Sequence, residues 1–220
     1  MHKIIAIDGP SASGKGTLSR GLAEALNFAH MDTGALYRAV GYEVLQSGGN
    51  PEDEGDALAA CAALKAKISD PSTLNNPDLR NEQTGAAASK VAAVQSVRDF
   101  LLNLQREFAE SPGEGFVGAV LDGRDIGTVI CPDAPLKLYI TASADIRAKR
   151  RMKELQSKGL VVTYRAVLED MRARDARDSA REAAPMKAAE DAVTIDSSDL
   201  NADEMLELAL EYAQRHLAEY

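Results

Sequence analysis

The chain predicts an α/β fold, a three-layer sandwich in which helices cover both faces of a parallel, five-stranded sheet. Three observations carry this reading. Short apolar runs at residues 4–7, 116–121, 136–141 and 192–195 have the length and composition of strands buried on both faces. Helical periodicity separates each run from the next, the pattern of parallel strands joined by helical crossovers. A glycine-rich loop stands directly between the first run and the first helix.

That first strand leads into Gly9, Pro10, Ser11, Ala12, Ser13, Gly14, Lys15, Gly16 and Thr17. Strand, glycine-rich loop and helix in this order build a cradle for a polyphosphate. Glycine lets the backbone turn tightly enough for several N–H groups to face one anion. The helix start near Lys15 aims the positive end of its dipole at the same point. Lys15 reaches the outer phosphates, and Thr17 offers a hydroxyl close to the metal position. The loop therefore predicts binding of a nucleoside triphosphate. Gly16 separates the lysine from the hydroxyl residue, a variant similar to that of kinases acting on nucleoside monophosphates.

The remaining elements follow in order. Residues 14–26 read as the first helix, 28–31 as a brief second strand and 35–46 as the second helix. Residues 47–85 break the alternation: an Ala-rich helix and a turn-rich stretch, Asp70 to Pro77, look like an insertion without a convincing hairpin after Ile68. From 82 to 109 one long helix is expected, because Val91, Val94, Val97, Leu101, Leu104 and Phe108 recur at three- and four-residue spacings. Ser143 caps a charged helix that runs to residue 158, and 164–179 form another. Between them the break at 157–163, with Gly159, suits a short mobile lid, taken with its flanks as residues 151–164. Asn201 and Glu204 form a capping-box start to the last helix. The whole, 1–220, reads as one domain with this insertion and lid.

Composition narrows the function. At 220 residues the chain can bury a full core. A net charge of −9 argues against nucleic acid as the main partner. Cys61 and Cys131 match no metal or redox spacing and are expected to be reduced thiols. The apolar run after Lys3 is too short for a signal peptide, and no stretch approaches the roughly 18 apolar residues of a membrane span. A cytoplasmic protein is expected, with no membrane partner.

Ligands of an open parallel sheet collect at the carboxyl ends of its strands. The second strand delivers Asp32-Thr-Gly-Ala-Leu-Tyr-Arg38 there and the third delivers Asp122-Gly-Arg-Asp-Ile-Gly-Thr128. Arg38, on the first turns of a helix, suits a forked contact to phosphate. Arg124 and Asp125 crowd the place where chemistry belongs, although a local turn ion pair also fits them. Asp122 is placed to hold metal-bound water. Arg98 borders an apolar helical stripe, unusual for a plain core face. Arg147, Arg150 and Arg151 share one helix face, and Arg174, Arg177, Asp178 and Arg181 share another. Such faces are often simply solvated. Beside a phosphate cradle, Arg150, Arg151, Arg174 and Arg181 read as charge neutralisers for phosphoryl transfer. Arg147, Arg165 and Arg172 read at least as well as solvated surface.

Taken together, Gly-Pro-Ser-x-Ser-Gly-Lys-Gly-Thr, Asp-Thr-Gly-Ala-Leu-Tyr-Arg, Asp-Gly-Arg-Asp-Ile-Gly-Thr and Arg-Asp-x-Arg-Asp-x-x-Arg closely resemble bacterial cytidylate kinases, a family of P-loop nucleoside monophosphate kinases. The resemblance runs from residue 3 to the C-terminus. It implies transfer of phosphate from ATP to CMP or dCMP, with Mg2+, by a cytoplasmic monomer. It further implies that Arg38, Arg124 and Arg181 hold the CMP phosphate, that Ser89, Arg98 and Asp125 read the cytosine edge, and that Arg174 and Asp178 hold the sugar. Thr33 stands where the family often has serine, and Arg150 and Arg151 fall to the lid. Lys15, Arg124, Arg150, Arg151 and Arg181 are then the candidate catalytic residues, with Thr17 and Asp122 reaching the metal through water. The insertion is shorter than in many members. Two other readings remain at this point: a kinase for UMP, AMP or shikimate on the same scaffold, and an ATP-gated RNA-binding module. The acidic balance and the lack of an aromatic stacking series weigh against the second.

Overall fold

In the computed structural model, which describes residues 3–68 and 71–218, the chain falls into two compact units, Met1–Met31 with Glu107–Tyr220 and Asp32–Arg106. The first unit holds the sheet: β1 Lys3–Asp8, β2 Ala29–Asp32 (whose last residue opens the second unit), β3 Gly118–Gly123, β4 Leu136–Thr141 and β5 Val193–Asp196. Their order is β2-β3-β1-β4-β5. β1 runs parallel to β3 from Lys3↔Gly118 to Asp8↔Gly123 and parallel to β4 from Ile5↔Leu136 to Asp8↔Tyr139, and β5 runs parallel to β4. Ile5, Ala6 and Ile7 are fully buried, as a central strand covered on both faces requires. Leu18 and Leu22 of α1 (Lys15–Leu26) and Met205, Ala209 and Ala213 of the C-terminal helix (Ala202–Leu217) pack on Ile5, Ile7, Leu136, Leu138 and Ile140. Full burial of each large apolar side chain contributes roughly 1.5–3 kcal/mol.

The strand at 116–121 starts two residues later than its apolar run. Phe116 and Val117 are exposed, and Val117 N–H donates to the Asn27 carbonyl at 3.2 Å instead of entering the sheet. Gly118 opens β3 because a Cβ there would lie 2.3 Å from the Lys3 carbonyl oxygen and 2.7 Å from the Phe28 ring. At its other end polar Asp122 and Gly123 stay in the strand, since β1 offers them partners as far as Asp8.

The second unit is helical: α2 Thr33–Gln46, α3 Glu54–Lys67, α4 Pro71–Asn75, a 3-10 turn Pro77–Arg80, α5 Glu82–Val91 and most of α6 Gln95–Glu110. Asp32, Asp53 and Asn81 cap α2, α3 and α5 by accepting from Ala35, Asp56 and Thr84 N–H. No strand occurs among the described residues 33–117, as the missing hairpin pattern anticipates; Asp70, the start of the expected turn-rich stretch, lies outside the described residues.

The single helix expected over 82–109 is two. After Ala92 donates to Ala88, the N–H groups of Ala93 and Val94 donate three residues back, to Lys90 and Val91, and a new helix starts. The spacing Val91–Val94–Val97 suits a continuous helix and a tight turn between helices alike, so periodicity passes over the break.

In the first unit Ser143 Oγ accepts from Ile146 N–H to start α7 (Ala144–Ser157), and Thr163 Oγ1 accepts from Ala166 N–H to start α8 (Tyr164–Ala180). Ala148, Leu155, Val167 and Met171 pack the two helices together. Residues 158–163 join them without regular structure, and Leu160 and Val161 are exposed there. The C-terminal helix, α9, carries the expected capping box: Asn201 Oδ1 accepts from Asp203 and Glu204 N–H, and Glu204 accepts from Asn201 N–H.

One glycine decides where β1 ends. Gly9 has φ +145°, and a Cβ there would lie 2.0 Å from the Ile140 carbonyl oxygen. Gly9→Ala is expected to cost roughly 2 kcal/mol or more, from strain plus displacement of β4. Urea denaturation with a wild-type midpoint would contradict this account.

Candidate nucleotide site

In the first unit the chain leaves β1 at Asp8 and turns through Gly9, Ala12 (φ 57°) and Gly14 (φ 93°) into α1. No side chain caps that helix, and Thr17 and Leu18 N–H both donate to the Gly14 carbonyl at 3.1 Å. Lys15 Nζ folds back to the Pro10 carbonyl at 3.4 Å. The loop is held from outside by its carbonyls: Arg147 donates to Ser11 O at 3.3 Å, and Ser197 Oγ donates to Ser13 O at 2.7 Å. The peptides of these two carbonyls thus keep their direction, because the carbonyl side of each is occupied.

Beside the loop the strand ends bring together a buried charged cluster. Arg124 Nε donates to Asp178 Oδ2 at 3.1 Å, and Arg181 donates to Asp178 Oδ1. Asp178 is 2 % exposed. Burial pushes its acidity toward the neutral form, but the charges of Arg124, Arg181 and Arg174 outweigh burial and hold its carboxyl below the usual carboxylate range. Arg124 thus pairs with a carboxylate 54 residues along the chain. Arg181 Nε is buried and, among the described residues, has no hydrogen-bond partner.

The second unit carries Thr33, Arg38, Ser89 and Arg98. Thr33 and Ser89 are buried. Arg38 donates to Asp32 Oδ2 at 2.6 Å, while its buried Nε has no hydrogen-bond partner among the described residues. Arg98, 6 % exposed, donates to Ala92 O at 3.4 Å and stands 5.8 Å over the Tyr37 ring. It is a buried guanidinium set over an aromatic face.

Several arginines differ from expectation. Arg147 is buried, not solvated: it donates to Ala142 O at 3.0 Å and to Ser11 O, and pairs with Asp175 at 2.7 Å. Arg150 donates twice to Ser197, at 3.0 Å to Oγ and 2.6 Å to O. Arg151 pairs with Glu154 at 2.9 Å, three residues along α7. Arg165 pairs with Glu169 and, like Arg172, is exposed.

Three contributors escaped sequence reasoning. Ser197 joins Arg150 to the phosphate loop. His30 Nε2 lies 2.7 Å from Asp122 Oδ2. Asp8, 4 % exposed, accepts at 2.8 Å from both Ile126 and Gly127 N–H. Burial pushes its carboxyl up to about 7, against the pull of those two amides. A polar residue closing an apolar strand was the only available signal for Asp8.

Magnesium takes oxygen ligands and retains much of its water and phosphate shell. The exposed hydroxyl of Thr17 fits that demand, and so does Asp122, whose Oδ2 is already engaged by His30. Among the described residues no three His, Cys, Asp or Glu side chains gather into a metal cage, and no helix is long and apolar enough to cross a membrane.

The family model described as cytidylate kinase matches residues 5–215. A cytidylate kinase of Rhodospirillum rubrum is 55 % identical over 208 residues, covering 94 % of this chain and 95 % of that protein. One from Paramagnetospirillum magneticum is 52 % identical, covering 96 % and 97 %. Among solved structures, an uncharacterized protein from Eubacterium ventriosum aligns over 98 % of this chain and 99 % of its own with a TM-score of 0.54 at 18 % identity, a likeness of fold.

Two buried carboxyls should leave opposite marks on stability. Asp178, with its pKa lowered, stabilises the fold above its unfolded pKa and loses that contribution as pH falls through and below the carboxylate range. Asp8 is protonated in the fold at pH values where the unfolded chain has already ionised, so stability falls as pH rises from about 4 to about 7. The stability difference between wild type and Asp8→Asn, followed by urea denaturation, should decline across that window, whereas that for Asp178→Asn should grow with pH and level off by about pH 5. A flat Asp8 difference curve contradicts the first assignment.

Proposed function

The chain belongs to the cytidylate kinase family, and from that premise we propose that it transfers the γ-phosphate of ATP to CMP or dCMP, giving ADP and CDP or dCDP. One observation supports this reading more than any other. Arg38 and Arg181, two of the three arginines that the family motifs assign to the acceptor phosphate, each carry a buried Nε donor with no partner among the described residues. A buried N–H left without an acceptor costs on the order of 1–3 kcal/mol, and a phosphate oxygen is the acceptor that suits a guanidinium fork.

The amides of the phosphate loop and Lys15 bind and orient the triphosphate. Thr17 and Asp122 would hold Mg2+ through water, and that ion neutralises charge on the β- and γ-phosphates when bound. Arg38, Arg124 and Arg181 hold the acceptor phosphate, Ser89, Arg98 and Asp125 read the base, and Arg174 and Asp178 hold the sugar. The acceptor's phosphate oxygen is already a competent nucleophile, so no side chain need remove a proton. Catalysis rests on in-line positioning and on neutralising charge as it spreads over the transferring group. Closure of the segment 158–163 excludes water, which would otherwise hydrolyse ATP.

A coupled ADP-release assay with MgATP against CMP, dCMP, UMP, AMP, GMP and dTMP tests the reading: CMP and dCMP should lead, with UMP far behind. Lys15→Ala should lower turnover about 100-fold or more, as for one charged transition-state contact. Asp125→Ala should narrow the CMP-to-UMP ratio. Turnover of Lys15→Ala near wild type, or another monophosphate in the lead, overturns the corresponding assignment.

A further inference from the structure

Asp8 has no part in the scheme above, yet it stands at the root of the phosphate loop, one residue before Gly9. Its two carboxylate oxygens accept from consecutive amides, Oδ1 from Ile126 and Oδ2 from Gly127, both at 2.8 Å. These amides open a short helical turn, Ile126–Ile130, in which Val129 and Ile130 N–H both donate to Asp125 O. Ile126 is fully buried and Gly127 is buried, so neither amide can turn to water. The space is close-fitting: a Cβ on Gly127 would lie 3.1 Å from Lys137 Cδ and 3.5 Å from Asp8 Oδ2. Arg124 and Asp125 immediately precede this turn.

We propose that Asp8 is a positioning residue that fastens the Arg124–Asp125 loop to the root of the phosphate loop, so that the residues reading the acceptor keep a fixed register with those holding ATP. The inference rests on the proposed roles of Arg124 and Asp125. Two features favour positioning over simple structural support. The ionised carboxylate is acceptor-only, the one side-chain chemistry that matches two convergent N–H donors; an amide side chain would set a donor against one of them. Burial also opposes the ionisation of Asp8, so its charge is not there to strengthen the fold. Around Asp8, Asp125 opposes its charge, Arg124 assists it and Tyr139 is its neighbour on β4, while the Lys137 amine is occupied by Asp191 at 2.7 Å. Desolvation outweighs this help, and a charge that costs folding free energy is kept where it fixes geometry.

The test compares Asp8→Asn, Asp125→Ala and wild type in steady-state kinetics with MgATP and either CMP or UMP, alongside melting temperatures. For Asp8→Asn, KM for CMP should rise about tenfold and the CMP-to-UMP preference should shrink, with KM for ATP within about twofold of wild type, because one charge-assisted hydrogen bond is lost at the acceptor loop. A melting temperature that drops while KM for CMP and base preference stay at wild-type values overturns the proposal and leaves Asp8 a structural residue. If Asp8→Asn does not fold, Asp8→Glu, which keeps the charge but displaces it by a methylene, gives the same decision: KM for CMP raised alone supports it, both KM values unchanged sinks it. Asp125→Ala separates the two layers. Relaxed base choice there with an unaffected Asp8→Asn refutes only the Asp8 inference. Unchanged base choice in Asp125→Ala removes the reading beneath it, and the inference with it.

Discussion

A charge taken out of water must be paired or hydrogen-bonded, and the first unit of this protein is organised around that demand. Asp8, Asp122, Arg147 and Asp178 are all less than a tenth exposed, and each is met by partners from a different stretch of chain. Asp8 reaches the turn after β3, Asp122 reaches β2, Arg147 joins the phosphate loop to α8, and Asp178 gathers Arg124 and Arg181. Removing Arg147 takes the ion-pair partner from Asp175, and removing Asp178 takes it from Arg124 and Arg181. The carboxyl end of the sheet is consequently stiff in the sense catalysis needs. Donors stand in place before substrate arrives, and little reorganisation is left for the moment of transfer.

The phosphate loop depends on the same arrangement. Its amides can face an anion only if its carbonyls face away and are satisfied there, and Arg147 and Ser197 supply the donors for Ser11 and Ser13. Gly9 permits the turn because its hydrogen stands where a methyl would meet the Ile140 carbonyl. Backbone shape and side-chain charge are two halves of one device here: the glycine allows the curve, and the buried donors hold it.

Much of this was legible in the sequence, for reasons that differ by residue. The phosphate loop and the Asn201 cap were readable because their chemistry is local, a few residues folding on themselves. The strands β1, β3 and β4 were readable because a strand buried on both faces is mostly apolar. The ends of β3 were not, since Gly118 begins it through contact with Lys3 and Phe28, and Asp122 ends it through pairing with β1. The break after Ala92 was hidden by a spacing that two structures share. Arg147 was misjudged for a related reason. On α7 it lies on one face with Arg150 and Arg151, and helical spacing alone does not say which of the three turns inward. That choice is made by Ser11, Ala142 and Asp175, one of them 136 residues away in sequence.

The three arginines of α7 now separate by what each would give up to meet a phosphate. Arg147 would abandon a half-buried carboxylate and two carbonyls, a loss on the order of 3 kcal/mol. Arg150 would release both its bonds to Ser197, and Ser197 is itself the donor that holds Ser13 in the phosphate loop. Arg151 would give up a half-exposed pair with Glu154, three residues along the same helix, worth about 0.2–1 kcal/mol. A ligand that arrives transiently can redirect only a side chain whose resting contacts are weak. On that ground Arg147 is the most firmly tied of the three, Arg150 is held to the loop through Ser197, and Arg151 has the weakest resting contact.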